Sequence, residues 1–318
     1  MMPTSRPAAV VRGPLAVGTN GPVAATLMQF RPRAARVLPA GEALVSNTLA
    51  YSSMFENGTG SSSKVVLDGE IARDTVALRA GVGGDTDVEV QVPFVFASNG
   101  FLDDLVETWH DTFGFPNGGR EKRPKNDYEM RIEKDGRRIY ALDRGRVELG
   151  DVPVFVTRQL LDEESDGVGL ALCAGIEFPL GSESRGVGNG GFDGGGGVIL
   201  ERSLDRFTLT AGAYHVLAST PDSFRPARVE IQDQDYLHGG LECRWNDVSS
   251  LVLGLRWSSA VTRDIEIQEV DGSVLELDVG FAVDDGFLGG RVAFGLSEDI
   301  IAESGPDWTA FLAWSRSL

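Results

Sequence analysis

From residue 42 onward the chain alternates apolar and polar residues in stretches of about ten, the length of a strand that crosses a bilayer at a tilt. Val88, Val90, Val92, Phe94 and Phe96 share one face, with Glu89 and Gln91 opposite. Phe207, Leu209, Ala211 and Ala213 oppose Thr208, Thr210 and Tyr214. Leu251, Leu253, Leu255 and Trp257 oppose Gly254 and Arg256, and Leu275, Leu277, Val279, Phe281 and Val283 oppose Glu276 and Asp278. Leu288, Val292, Phe294 and Leu296 oppose Arg291, and Trp308, Ala310, Leu312 and Trp314 oppose Thr309 and Ser315. One face is thus nearly pure Val, Leu, Phe and Trp. The other collects Glu89, Gln91, Glu177, Tyr214, His238, Glu242, Arg244, Arg256, Glu276, Asp278 and Arg291. A soluble sandwich or lipocalin alternates too, but it packs its apolar face inward and exposes the polar one. Here the pattern fits an apolar band facing lipid and a charge-paired lumen.

The punctuation agrees. Short turns fall at 81–85, 162–166, 203–205, 246–248 and 284–286, and long Gly/Asp/Ser-rich loops at 56–63, 98–126, 181–191, 218–233 and 300–306. Residues 261–273 read as long strands joined at a hairpin tip, Val270-Asp271-Gly272, and a phase slip between Ile71 and Val76 predicts a bulge. Residues 146–161 are apolar on both faces in their middle. The fold class expected is all-β: a transmembrane antiparallel β-barrel of about twelve strands, with one amphipathic helix in a long outer loop. Residues 1–41, rich in Pro, Ala and Arg and without a period, are expected to be a periplasmic arm or a lumen plug; 42–318 form the barrel, with a helical insertion at 98–126.

Composition narrows the function. There are 29 Lys and Arg against 47 Asp and Glu, a net charge of −18, which argues against nucleic acid as a partner and against a polybasic lipid anchor. No apolar run reaches the roughly 18–20 residues of a transmembrane helix. Cys173 lies on the polar face with Glu177 and Cys243 on the apolar face, so no bridge between them is expected. Trp245, Trp257, Trp308 and Trp314 fall near strand ends, where an interfacial aromatic belt would lie. The segment Asp307–Leu318 is an amphipathic strand at the end of the numbering and resembles the C-terminal strand read by the outer-membrane barrel-assembly machinery, with Leu318 where an aromatic is usual and Arg316 interrupting the apolar face.

Two segments carry a family resemblance. One holds Gly13-Pro14-Leu15 and Val37-Leu38-Pro39-Ala40-Gly41. The other holds Leu67-Asp68-Gly69-Glu70 and the run Gly100-Phe101-Leu102-Asp103-Asp104-Leu105-Val106-Glu107-Thr108-Trp109-His110-Asp111-Thr112-Phe113-Gly114-Phe115-Pro116, followed by Arg120. The chain resembles an uncharacterised, domain-of-unknown-function family of Gram-negative outer-membrane β-barrels. The resemblance implies a bacterial outer-membrane location and a signal peptide on the precursor, whose apolar core is absent from this numbering. It implies no activity.

In the helix at 101–115, Leu102, Leu105, Val106, Trp109 and Phe113 make an apolar stripe, with Asp103, Asp104, Glu107, His110 and Asp111 opposite. Asp103, Glu107 and His110 form a candidate site, since Glu-x-x-His places two ligands one turn apart; the competing reading is a solvated acidic face on a helix that caps the barrel or lies at the outer interface. His215, on the apolar face near Ser219, allows a lipid-acting hydrolase at the outer rim. The glycine-rich 181–191 and 194–197 lack a following Lys-Ser/Thr, so they read as an outer loop and a thin-walled strand rather than a phosphate cradle. No catalytic residue, metal or cofactor is assigned. The expected function is a monomeric outer-membrane channel or transporter for small solutes, whose partners are membrane lipid, lipopolysaccharide and the assembly machinery. The alternatives are a lipid-acting enzyme at the rim and a closed structural or surface-interaction barrel.

Overall fold

The structure, a computed structural model, describes residues 12–284, 289–301 and 305–318. Leu288, assigned above to an apolar face, lies outside the described residues. In chain order the elements are β1 (Ala43–Thr59), β2 (Ser63–Gly81), β3 (Thr86–Ser98), α1 (Asp103–Phe113), β4 (Glu129–Lys134), β5 (Arg137–Ala141) and β6 (Val147–Leu149). Then come β7 (Val152–Leu161), α2 (Glu163–Asp166), β8 (Gly169–Phe178), β9 (Asp193–Leu204) and β10 (Phe207–Leu217). The chain ends with β11 (Gln234–Arg244), β12 (Ser249–Ser258), α3 (Gln268–Asp271), β13 (Val274–Val283), β14 (Arg291–Ile301) and β15 (Trp308–Ser317).

All strands except β4, β5 and β6 form one wall. Each pairs antiparallel with the next, and β15 returns to β1 from Ser53↔Trp308 to Leu44↔Ser317, so twelve strands close a barrel without an edge. Closure is what a spanning sheet requires, because no water in hydrocarbon could satisfy an open edge. The alternation sets the two faces. Val90, Leu172, Leu200, Leu209, Leu255, Phe294 and Leu312 are exposed on the outside, whereas Gln91, Thr210, Arg256, Glu276 and Asp278 are buried within. Among the described residues, the short connections 82–85, 162–168, 205–206 and 245–248 lie at one rim, and the longer ones 179–192, 218–233 and 259–273 lie at the other with the 60–62 tip.

Four local expectations are corrected. The register of β1 on β2 runs unbroken from Ala43↔Ala80 to Thr59↔Lys64, so there is no bulge at 71–76. Alternation is lost there because both faces of Val65–Ile71 are covered. Gly69, at φ +146°, marks where the neighbour of β2 changes from β3 to β4, and a Cβ there would strike the Tyr128 ring. The expected 56–63 loop is instead ladder almost to its tip, with only 60–62 between the strands. The 261–273 region does not form strands. Asp271 accepts hydrogen bonds from Thr262 Oγ1 and the Glu266 amide, curling the segment so that Ile265 and Ile267 are buried. Finally, 146–161 is two strands split at Gly150-Asp151: β6 extends the ladder of β3 at Phe94–Phe96, and β7 takes its other half, Thr86–Val90.

At the long-loop rim an apolar cap closes over the barrel. It combines Met130 and Ile132 of β4, Ile139 and Tyr140 of β5, Val187, Phe224, Val229, Ile231 and Ile265 from the loops, and Val23 and Leu27 from the N-terminal arm.

Candidate functional site: the arm-filled lumen

Residues 12–41 run inside the barrel in two legs. The rising leg starts at the short-turn rim, where Arg12 pairs with Asp284 (3.2 Å) and the Gly13 amide donates to Glu242 (3.0 Å). It climbs through Leu15 and Val17, packed against Val252, Ala282, Ala293 and Phe311, to Asn20, which donates to Ser52 (2.9 Å). A short 3-10 turn at Ala24–Thr26 meets the apolar cap and reverses the chain. The descending leg is held by Asp193 at the Met28 amide (3.0 Å), by Thr75 at Arg31 (3.0 Å), by Asp87 and Glu89 at Arg33 (3.4 and 3.5 Å) and by Glu201 at Arg36 (2.6 Å). The Asp87 carboxylate also takes Arg79 from the wall (2.6 Å) and the Leu38 amide (3.1 Å). An irregular segment with few backbone partners outside its 3-10 turn is therefore satisfied largely by wall side chains, as burial demands.

The middle of the arm is pinned by aromatic packing. Phe30 stacks on Tyr214 (centroids 4.6 Å, 13°) and tilts against Phe155 (5.1 Å). Both wall rings lie flat because glycines sit beneath them: a Cβ on Gly175 would strike Phe155, and one on Gly197 would strike Tyr214. The glycine-rich strand is thin where the plug is thick.

The residues proposed from parity to line the lumen all face inward, and the wall gathers most of them into ion-paired groups. Arg256 takes Asp278 with both Nε (2.8 Å) and Nη2 (2.9 Å), and Glu276 with Nη1 (2.9 Å), all three residues buried. Arg291 joins Glu242 (3.0 Å) to Asp284 (2.9 Å). Gln91 donates to Glu89 (2.6 Å). His238 sits beside Tyr214 (5.2 Å) and directly across from Arg256. Glu177 is buried opposite Asp193, a like-charged neighbour. Arg244 stands apart at the short-turn rim, bonded to the Asp205 carbonyl (2.5 Å). Parity reasoning missed Asp87, Glu201 and Arg79 on the wall and Arg31, Arg33 and Arg36 on the arm. The wall residues share the inward parity of their neighbours, so the same rule could have found them; the arm arginines have no period to read.

Between the arm and the wall formed by β14, β15, β1, β2 and β3 lies a cavity of about 160 Å³. Arg31, Arg33, Arg79, Arg291 and Glu89 reach it from the polar side, and Leu15, Val17, Phe311 and Ala313 from the apolar side.

Helix α1 lies outside the wall, at the long-loop half of β1, β2 and β14, and buries a face that joins part of the expected apolar stripe to Asp103 and His110. Leu102, Asp103, Val106 and His110 are buried, whereas Leu105 and Phe113 are exposed, and so is Phe101 just before the helix. The wall beneath offers polar partners beside Tyr51 and Phe55. Arg120 bridges Asp103 to Asp307, Glu70 accepts from the Phe101 amide (2.7 Å), and His110 Nε2 lies 3.4 Å from Glu298. Glu107 pairs with Lys125 (3.0 Å), so Asp103, Glu107 and His110 point to three different partners and do not converge. Burial alone would push the His110 imidazole down, but the Glu298 and Asp307 carboxylates outweigh it and raise its pKa above the usual 6.5. Stability from charged His110 is therefore fully present below pH 6.5 and is lost as pH rises through the raised folded value. Amide hydrogen exchange across 103–113, corrected for intrinsic rates, should quicken from pH 5 to pH 9 in the wild type and show no such pH step in His110→Gln.

The candidate hydrolase pair does not assemble. His215 Nδ1 lies 2.8 Å from Asp235 Oδ1 on the outer face, while Ser219 donates its hydroxyl to the Phe192 carbonyl (2.7 Å) and its amide to Asp193. Trp245 is exposed at the short-turn rim, with Trp314 near that end of β15; Trp257 and Trp308 lie toward the long-loop rim. Cys173 is a free, buried lumen thiol that accepts from Thr157 (3.4 Å), and Cys243 is free on the outer face.

Among solved structures, the chain is similar to the COG4313 outer membrane channel from Pseudomonas putida F1, with a TM-score of 0.59 and 14% identity over 91% of this chain and 100% of that one. At this identity the likeness establishes the fold, a closed antiparallel barrel of twelve strands like those of the outer membrane. More distant barrels are a FadL homologue from Pseudomonas aeruginosa (TM-score 0.38, 11% identity, 97% and 98% of the two chains) and the translocator domain of the autotransporter NalP from Neisseria meningitidis (0.42, 9%, 87% and 88%). No curated protein matches the sequence. Over residues 3–316 it matches the family described as protein of unknown function, DUF3187, and the chain belongs to that family.

Proposed function

We propose that this protein is a monomeric channel or transporter of the bacterial outer membrane that admits small solutes past an inserted N-terminal arm. The short-turn rim faces the periplasm, where the arm enters, and the capped rim faces outward. The observation that carries this reading is the uneven filling of the lumen. The arm packs densely against β7–β11 but leaves the 160 Å³ cavity along β15, β1, β2 and β3, with charged and polar groups on its wall. A lining of mixed, mostly paired charges suits selective passage better than an apolar plug would. Lipid surrounds the apolar band, and the exposed Phe101, Leu105 and Phe113 of the helix segment continue that band into the headgroup layer, where lipopolysaccharide lies. Strand β15, whose Leu318 is exposed at its end, is the segment offered to the assembly machinery.

The apolar cap favours a second reading, a closed structural barrel. Planar-bilayer recording and liposome swelling with full-length protein separate the two. A channel passes solutes below a few hundred daltons at small unitary conductance; absence of both current and swelling in protein that fractionates with membranes and shows a heat-modifiable gel shift would leave the closed barrel standing.

A further inference from the structure

The charges around the cavity do not balance, and the surplus is one guanidinium. Arg33 and Arg79 are matched by Asp87 and Glu89, and Arg12 and Arg291 by Glu242 and Asp284. Arg31 is left over. Its Nη2 donates to Thr75 (3.0 Å), and among the described residues no carboxylate comes within 4.0 Å of it. Glu89 and Glu177 act on it only from a distance, and Arg73 opposes them. A guanidinium taken out of bulk water with most of its donors free is costly unless an anion completes it. The planar fork of Arg matches a carboxylate in two-point geometry.

The remaining lining sets the shape of that anion. Leu15, Val17, Phe311 and Ala313 give the cavity an apolar side, and its 160 Å³ compares with the roughly 150 Å³ hydrocarbon-lined cavity that holds a benzene ring. We propose that the cavity between the arm and the β15–β1–β2–β3 wall binds a small monocarboxylate with an apolar body the size of one ring, its carboxylate on Arg31. That this anion is also the transported solute rests on the channel reading above; the binding itself does not.

The test is calorimetric titration of full-length protein in detergent micelles with benzoate, and with benzyl alcohol and benzylamine as neutral and cationic probes of the same shape. Benzoate should bind at least about tenfold more tightly than benzyl alcohol, as a charge-assisted pair predicts, and benzylamine more weakly than both. Arg31→Gln should reduce the preference for benzoate over the alcohol to less than about twofold, with Arg31→Lys intermediate because it keeps the charge but not the fork. Ala77→Leu, which fills the cavity from β2, should weaken benzoate and benzyl alcohol together. It keeps the proposal open to refutation if Arg31→Gln fails to give a heat-modifiable barrel. Equal binding of benzoate and benzyl alcohol, or benzoate binding unchanged in Arg31→Gln or in Ala77→Leu, overturns the proposal. Benzoate binding with no solute flux in liposomes would remove the channel reading and leave the site; flux without benzoate binding would do the reverse.

Discussion

Excision of residues 12–38 is expected to raise the unitary conductance of the barrel by about tenfold or more, because it replaces packed protein with water along the whole lumen. The wall should survive the loss, since its strands are joined by their own ladder and the ring is closed by β1 on β15. The carboxylates that hold the arm, Asp87, Glu201 and Asp193, lose cationic or amide partners, but they are not stranded in a dry interior. Water enters as the arm leaves and solvates them, so the cost is far below that of an unpaired charge in a packed core. Weakening the anchor instead of removing it gives a graded version: Arg33→Ala with Arg36→Ala should produce flickering openings, with the arm still pinned at Phe30. If the excised barrel conducts no better than the full chain, the apolar cap alone closes the outer rim, and the arm is a structural filler.

Arg256→Ala is expected to destabilise the barrel by about 3–5 kcal/mol, the cost of removing one partner from a buried ion group. Asp278 and Glu276 are almost wholly inaccessible, and Arg256 makes three contacts of 2.8–2.9 Å with them. Without it, two carboxylates remain on adjacent inward positions of β13 with, among the described residues, only the hydroxyls of Ser297 and Thr19 beside them as donors. Replacing the group with apolar residues, as in Arg256→Leu with Glu276→Leu and Asp278→Leu, should cost less than Arg256→Ala, since no charge is left uncompensated. Urea unfolding in lipid vesicles, followed by tryptophan fluorescence, measures both. Equal stability of Arg256→Ala and wild type would mean that lumen water reaches these carboxylates.

The contrast between Arg256 and Arg31 shows where reading the chain succeeds and where it stops. Arg256, Glu276 and Asp278 share inward parity on neighbouring strands, so their lumen position follows from period two alone. Which acid each guanidinium takes depends on cross-strand register, and Arg256↔Glu276 is a pairing that no local pattern encodes. Arg31 stands in a segment without period, and its isolation is a property of where the wall charges fall around it. Helix α1 shows a different limit. Its stripe of Leu105, Trp109 and Phe113 is plain in the sequence, but the rule that an apolar stripe faces the protein assumes water on the other side. Against a wall that offers polar partners, the buried face takes in Asp103 and His110 beside Leu102 and Val106, and Leu105 and Phe113 are left exposed.

The apparent bulge near Ile71 is a third case. Alternation reports single-sided burial, and it fails wherever both faces are covered, as β2 is once β4 and the 101–126 insertion pack around it. By itself the sequence determined the barrel, its approximate strand number and which residues face inward, because strand geometry forces alternate residues to opposite sides. Only the tertiary structure decided that the arm climbs to the cap and returns, that α1 lies outside the wall with Asp103 and His110 among its buried residues, and that Arg31 meets a threonine rather than a carboxylate. Those outcomes depend on contacts between residues far apart in the chain, and period carries no information about such contacts.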